Sequence, residues 1–344
     1  MPHDHRFAAA AARWLLLCFA AFACTHPSSS APATGLETLS LRYEGSPGNV
    51  SIQELAEELG FLAPLKLDYL GNNMTGGPHS IQAVVTGDLD VGGSFNGAII
   101  KLIGSQAPLT AVIAGYGTDE QNFMGFYTLE GDPVRQPRDF IGKKVAINTL
   151  GAHAEFALRD YLARAGLTPE EIAQVTMLVL PSSNGEQALR SGQVDVAALS
   201  TIFRDKALAR GGLRMVFSDY QLFGSFNAGS VVMSKRFIQE HPNTVRKYVE
   251  GVGQAIEWTR SHPREEVVAR LESIIQKRGR NEDTSIVKYW TSTTIATARG
   301  RMQDKDFQIW IDWLVRDGQL RPGQVTPADI YTNQFQPTTL ALAP

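Results

Sequence analysis

Gly87-Asp88-Leu89-Asp90-Val91 returns, 105 positions later, as Gly192-Gln193-Val194-Asp195-Val196. Each copy follows a short amphipathic stretch: Ile81, Val84 and Val85 before the first, Ala188 and Leu189 before the second. Each runs into small residues and a hydroxyl: Gly92, Gly93 and Ser94 in one case, Ala197, Ala198 and Ser200 in the other. The pattern reads as a helix stopped by Gly, then a strand, then a polar strand end. The period is far longer than the roughly 20–50 residues of solenoid repeats. It predicts two similar α/β lobes, each presenting a polar strand end to something between them. Asp90 and Asp195 are candidates for paired acid–base chemistry. The favoured reading is structural: each carboxylate bonds backbone at a strand entrance and holds the helix-to-strand turn.

Working outward, strands are expected at 39–43, 65–70, 110–114, 123–129, 145–147 and 177–180, with helices starting near Ile52 and Asn96 and after Gly151. The β-α-β order around the first copy implies a parallel sheet. An extended run, Ser230 to Met233, precedes a strongly helical remainder. There Val245, Val249, Val252 and Ile256 share one helix face, and Phe307, Trp310, Ile311 and Leu314 another, both read as core. The tail from Thr326 to Pro344 is expected to strap the surface. Strands near Phe126 and Val231 are candidates for two crossings between lobes. The expected division is 36–125 with 231–344 as one lobe and 126–230 as the other, after a leader and linker over 1–35.

Composition narrows the function. The chain has 344 residues, 43% hydrophobic and 19% charged, which fits about two ordinary domains. A net charge of −3 does not indicate a basic face for nucleic acid. In the leader, Arg6 and Arg13 precede the apolar run Trp14 to Ala23, too short to span a bilayer and led by positive charge, as in an export signal. The protein is therefore expected in the periplasm or on the outer side of the cytoplasmic membrane. Cys24 follows Ala21-Phe22-Ala23 and is read as a lipidation site, the alternative being ordinary cleavage after an Ala-x-Ala-like site at Ala23 or near Ala33. The Ser/Pro-rich linker behind it would serve as a tether and favours the first. Cys18 and Cys24 are the two cysteines, so the body has no disulfide, thiolate metal site or cysteine nucleophile. Walker-type, Gly-x-Ser-x-Gly and His-Glu-x-x-His motifs are absent, and the seven His lack metal-ligand spacing. No metal and no cofactor are expected.

Asp139-Phe140-Ile141-Gly142-Lys143-Lys144-Val145-Ala146 resembles a segment of the substrate-binding proteins of ABC importers. Leu150-Gly151-Ala152-His153 is similar to the turn that follows it in their aliphatic-sulfonate, taurine and nitrate branch, to which thiamine-pyrimidine synthases are related. Both Gly-x-x-Asp copies have counterparts there, and the similarity runs from Leu39 to about Gln336. The resemblance implies a type II periplasmic-binding fold, α/β in class, with two lobes, two crossover segments and a ligand cleft between them. It places ligand contacts at Gly76 and Gly77; at Ser94, Phe95 and Asn96; at Thr149, Gly151, Ala152 and His153; and at Ser200 and Thr201. Thr201-Ile202-Phe203 stands where the sulfonate branch often has Trp-Asp-Pro, and Ala152 where it usually has Ser. Both departures remove polar contacts.

Helix starts and Gly-rich entries suit anion capture, because the first turn has unpaired N–H groups and a partial positive charge. Gly76-Gly77 and Gly151 read equally as tight turns, and His153 as a ligand donor or as a helix cap. The implied function is capture of a small, anionic, sulfonate-like solute by a monomer without enzymatic activity, and its delivery to an importer permease with its ATPase. The membrane is reached through the lipid anchor alone, and nucleic acid is not a partner. Two alternatives stand: an enzyme on the same fold, like pyrimidine synthases or chorismate dehydratases, and a receptor for a membrane sensor. Pyrimidine synthases use a cysteine cluster that is absent here, and chorismate dehydratases are cytoplasmic.

Overall fold

The computed structural model describes residues 35–337 except Pro47 and Asn281. The leader, Cys24, the linker to residue 34 and the last seven residues lie outside the described residues. From the start, β1 (Ser40–Gly45), α1 (Ile52–Glu58), β2 (Lys66–Asn72), α2 (Gly77–Thr86), β3 (Gly92–Phe95), α3 (Asn96–Gly104) and β4 (Leu109–Thr118) follow one another. Next come β5 (Gly125–Leu129), β6 (Lys144–Ile147), α4 (His153–Arg164), α5 (Pro169–Ile172) and β7 (Thr176–Val179). Then come α6 (Gly185–Arg190), β8 (Val196–Leu199), α7 (Thr201–Ala209), β9 (Leu213–Ser218) and α8 (Asp219–Phe223). The chain returns through β10 (Phe226–Ser234) to α9 (Lys235–Glu240), α10 (Pro242–Ser261), α11 (Arg264–Lys277), α12 (Lys305–Arg316) and α13 (Pro327–Ile330).

The fold is α/β, with sheets and helices in two lobes. One lobe holds the pair β1-β2 and the sheet β3-β10-β4; the other holds a five-stranded sheet in the order β7-β6-β8-β5-β9. The sheets are not purely parallel, as the β-α-β order alone implied. β1 pairs parallel with β2, and β6 with both β7 and β8. β10, by contrast, runs antiparallel to β3 and β4, and β5 antiparallel to β8 and β9. These are the strands by which the chain enters each sheet from the other lobe. A strand arriving without a helical crossover in its own sheet is free to pair antiparallel.

The repeated pentapeptide performs the same task twice. Gly87 and Gly192 end their helical stretches with φ of 83° and 73°. The next N–H groups, of Asp88 and Gln193, donate back to the carbonyls of Ala83 and Ala188, both at 2.9 Å. This left-handed stop favours glycine, which has no Cβ to clash. The Asp then clips the neighbouring strand. The Arg42 N–H donates to Asp90 Oδ2 at 2.8 Å, and the Arg42 guanidinium grips the same carboxylate at 3.1 and 2.7 Å. Asp90 and Val91 donate their N–H groups to the Arg42 carbonyl, laying the approach to β3 against β1. In the second lobe the Lys144 N–H donates to Asp195 Oδ2 at 2.8 Å and the Asp195 N–H to the Lys144 carbonyl at 2.9 Å. Both carboxylates thus hold strand entrances.

The first-lobe core gathers Leu41, Ile99, Val112, Val249 and Trp310; the second gathers Phe126, Val145, Leu158 and Phe217. The stripe on α12 is core: Phe307, Trp310, Ile311 and Leu314 are all buried. Trp310 and Trp313 meet Phe156 of α4, so α12 packs across onto the second lobe. Beyond α13 the chain lies along β4, where the Thr332 N–H donates to the Ala111 carbonyl. No described helix is long and apolar enough to cross a membrane.

Candidate ligand-binding cleft

Five helices begin at one cavity of about 500 Å³: α1, whose Ser51 and Ile52 line it, and four more. Gly77 opens α2, Phe95 precedes α3, Ala152 and His153 open α4, and Thr201 and Ile202 open α7; all six line the cavity. None of the four starts has a side-chain cap. At the start of α1, which also lines the cavity, Ser51 and Glu54 close a capping box, and away from the cavity Ser234 caps α9. Uncapped first turns leave N–H donors open, with the partial positive end of each helix behind them.

The structure brings Gly76, Gly77, Ser94, Phe95, Thr149, Ala152, His153 and Thr201 to this cavity, and leaves Asn96, Gly151 and Ser200 out of its lining. Asn96 is fully buried and spent on structure: its amide donates to the Asn227 and Asp306 carbonyls, and its oxygen accepts from Ser230. The Gly151 N–H is taken by Glu155 Oε2 at 2.7 Å. The Gly76 N–H is taken by Asn73 Oδ1 at 2.8 Å, and Pro78 has none, so the first turn of α2 offers the Gly77 N–H. A Cβ on Gly77 would meet Ser94 Oγ at 2.5 Å and Ser94 Cα at 2.8 Å, so only glycine lets α2 approach β3 this closely.

At the mouth, Thr149 Oγ1 of the second lobe donates to the Thr75 carbonyl of the first at 3.2 Å. Deeper in, Ser94 is 4% exposed and Asn122 3%; Ser94 Oγ and Asn122 Oδ1 have no hydrogen-bond partner. Unpaired buried polar atoms are costly and mark positions where something else supplies the partner. Thr201, with φ of 49°, and Thr294, with φ of 60°, also line the cavity. A β-branched residue in that region is strained. Thr294 is held there by the Gly117 N–H, which donates to its Oγ1 at 2.9 Å.

The charged groups of the lining are few. Among the described residues it contains one carboxylate, Glu44, and no Lys or Arg. Glu44 Oε1 is 3.9 Å from His79 Nε2, and its Oε2 is buried without a hydrogen bond. His153 stacks on Phe95, with ring centres 5.0 Å apart and planes 3° from parallel. Its Nε2 lies 3.2 Å from Asp219 Oδ2, without hydrogen-bond alignment. Asp219 is fully buried and ties the two crossing segments together: it accepts from Thr118 Oγ1 at 2.7 Å and from the Met124 N–H at 3.0 Å. Burial, reinforced by the charge of Asp219, holds the Tyr116 phenol well above its ordinary value, so it stays a neutral donor.

Sequence reasoning missed Asp219, Glu44, Tyr116, Asn122 and Thr294. None sits in a motif; Glu44, Tyr116, Asn122 and Thr294 line the cavity, and Asp219 stands behind His153. Among the described residues no cluster of His, Cys, Asp or Glu is arranged to hold a metal ion.

The fold recurs in solved proteins. The periplasmic aliphatic-sulphonate-binding protein SsuA of Escherichia coli superposes with a TM-score of 0.64 at 19% identity, over 89% of this chain and 95% of that one. The alkanesulfonate-binding SsuA of Xanthomonas axonopodis pv. citri, bound to MOPS, gives 0.64 at 20% identity, over 86% and 98%. The periplasmic nitrate-binding NrtA of Synechocystis PCC 6803 gives 0.65 at 13%, over 87% and 88%. The architecture is thus that of periplasmic binding proteins. No curated protein sequence matches the chain. The sequence profile of the NMT1/THI5-like family matches residues 53–266. That match takes in both repeat copies and the starts of α2, α3, α4 and α7, and on it the chain belongs to the NMT1/THI5-like family.

Proposed function

We propose that this protein is an extracytoplasmic solute-binding protein. It captures a small anion between two lobes divided near residues 125 and 230, and delivers it to an ABC importer. The observation that carries this reading is the convergence of four uncapped helix starts on a cavity without Lys or Arg. Such donors hold an anionic head group through backbone N–H groups, as helix starts do elsewhere. Each helix end contributes only about 0.3–2 kcal/mol, so several must act together in a closed, dry site. The eight lining residues of the sequence set would form the contact surface, with Ser94 Oγ and the Gly77 N–H among the donors. Cys24 would carry the lipid anchor that keeps the protein at the membrane.

The reading supplies no nucleophile and no acid–base pair in contact with a solute, so binding without turnover is expected. A thermal-shift panel of nitrate, sulfate, ethanesulfonate, taurine and a pyrimidine tests it. An anion at 100 times its dissociation constant stabilises the protein by about 2.7 kcal/mol. Failure of nitrate, sulfate, ethanesulfonate and the zwitterionic sulfonate taurine to shift the transition, or formation of a product from any of them, would overturn the proposal.

A further inference from the structure

An anion in this cavity faces an electrostatic problem. The lining has no permanent cation, it contains the carboxylate Glu44, and behind His153 lies the fully buried Asp219. Like charges repel most strongly where water is excluded. His153 joins the cavity to Asp219: its Nε2 is 3.2 Å from Asp219 Oδ2 and the residue lines the cavity.

Resting on the anion-binding reading above, we propose that the cavity binds its anion together with a proton carried on His153. The imidazolium then answers two negative charges at once, the buried carboxylate on one side and the solute on the other. The neighbours of the ring suit that form. Asp219, from α8, is the acidic group against it. Tyr116, from β4, has its ring centre 6.2 Å away and a phenol held neutral by burial. Phe95, Phe226 and Trp310 supply uncharged ring surface, and the flat Phe95 face is favourable to a cation. On its own helix, Glu155 is occupied by Arg159 and the Gly151 N–H. Asp306, on the helix that carries Trp310, is turned to Asn227 and Gln303. Glu44 shares the cavity and adds to its negative potential.

Nitrate and ethanesulfonate stay anionic across pH 5.5–8.5, so any pH dependence of their binding belongs to the protein. Calorimetric titration of the tighter binder at pH 6.5, in two buffers of different ionisation heat, should show uptake of about one proton per anion. The dissociation constant should rise as pH increases, by up to about tenfold per unit through the range where an imidazole ordinarily titrates. His153→Gln keeps a neutral hydrogen-bonding side chain. It should bind roughly ten- to a hundredfold more weakly at pH 6, with no proton uptake, on the scale of a lost charge-assisted contact. Should that variant fail to fold, the His153 ring signals of the wild type in a ¹⁵N-histidine NMR titration decide, since they should move to the imidazolium position as anion is added. Anion binding with a pH-independent constant, no proton uptake and an unmoved His153 signal overturns this inference and leaves the anion reading standing. Absence of binding by both anions at pH 6 overturns this inference, and overturns the anion reading too when sulfate and taurine also fail to bind.

Discussion

At the scale of single residues, the repeat shows how a carboxylate that looks catalytic does structural work. Asp90 and Asp195 each accept a backbone N–H from the strand they clip, and Asp90 also holds the guanidinium of Arg42. Asp90→Ala leaves a half-buried N–H and a guanidinium unpaired, and should cost about 1–3 kcal/mol in urea denaturation. Asp195→Ala removes the same backbone acceptor at a more exposed position, where its contact with Lys143 at 3.7 Å adds little. Its cost should be smaller, about 0.5–1.5 kcal/mol. An Asp90→Ala protein as stable as wild type would show that the clip is ornamental. Gly77 is the other decisive residue. Its Cβ would strike the backbone of Ser94, so Gly77→Ala must push α2 away from β3. Overpacking of this kind costs about 1–3 kcal/mol, and the shift displaces both the Gly77 N–H and Ser94 Oγ from the cavity wall. Calorimetry with the anion identified by the panel should show weakened binding; unchanged affinity would remove α2 from the binding surface.

At the scale of elements, the helices divide by what their ends do. α1, which also opens on the cavity, and α9 close their first turns with their own serines; α2, α3, α4 and α7 leave theirs free at the cavity, as α6, α10, α11 and α12 do away from it. A cap recovers orphan N–H groups, and its absence leaves them for another acceptor. α12 has a different task. Its fully buried Trp310 packs edge-on against Phe95 at 4.7 Å and Phe223 at 5.0 Å, so one side chain joins the cavity floor, the helix and the second lobe. Trp310→Ala should destabilise by about 3–5 kcal/mol, as large aromatic truncations in cores do. It should also free the Phe95 ring that backs His153. Arg316, on the same helix, pairs with the buried Asp160 of α4 from a largely exposed position, and Arg164 holds that carboxylate too. Arg316→Ala should therefore cost no more than about 1 kcal/mol. Similar losses for the two variants would refute the assignment of Trp310 as the anchor between lobes.

At the scale of the whole molecule, titration sets the limits of stability. Asp139 accepts the N–H groups of Arg135 and Gln136, Glu171 accepts the Thr168 N–H, and Asp329 takes the hydroxyl and N–H of Thr326; each carboxyl is held below its ordinary value. A depressed folded-state pKa stabilises above the ordinary value, about pH 4, and that support is lost as pH falls through the lower one. At the other end, burial pushes the Tyr127 phenol up to about 12. Its contribution is full below the ordinary tyrosine value of about 10 and disappears as pH rises toward 12. Urea midpoints should fall below about pH 4 and above about pH 10, and an unchanged midpoint from pH 9 to 12 would contradict the burial of Tyr127. Much of this molecule was legible beforehand. Period-2 and period-3.6 patterns, glycine stops and the spacing of the two pentapeptides determined two α/β lobes, the strands near Phe126 and Val231, and most cavity-lining segments. These signals are local, and backbone propensity and burial act locally. Strand direction was not legible, because whether β5 and β10 run with or against their neighbours depends on where the chain re-enters a sheet. Nor was the fate of each polar group. Asn96, Gly151 and Gly76 look as available as Ser94, yet their hydrogen bonds are spent on Asn227, Glu155 and Asn73. Asp219, remote in sequence from every motif, stands behind His153 because two crossing segments meet there. Tertiary structure alone decided which donors stay free and which charge lies behind the cavity, since both are set by contacts between segments far apart in the chain.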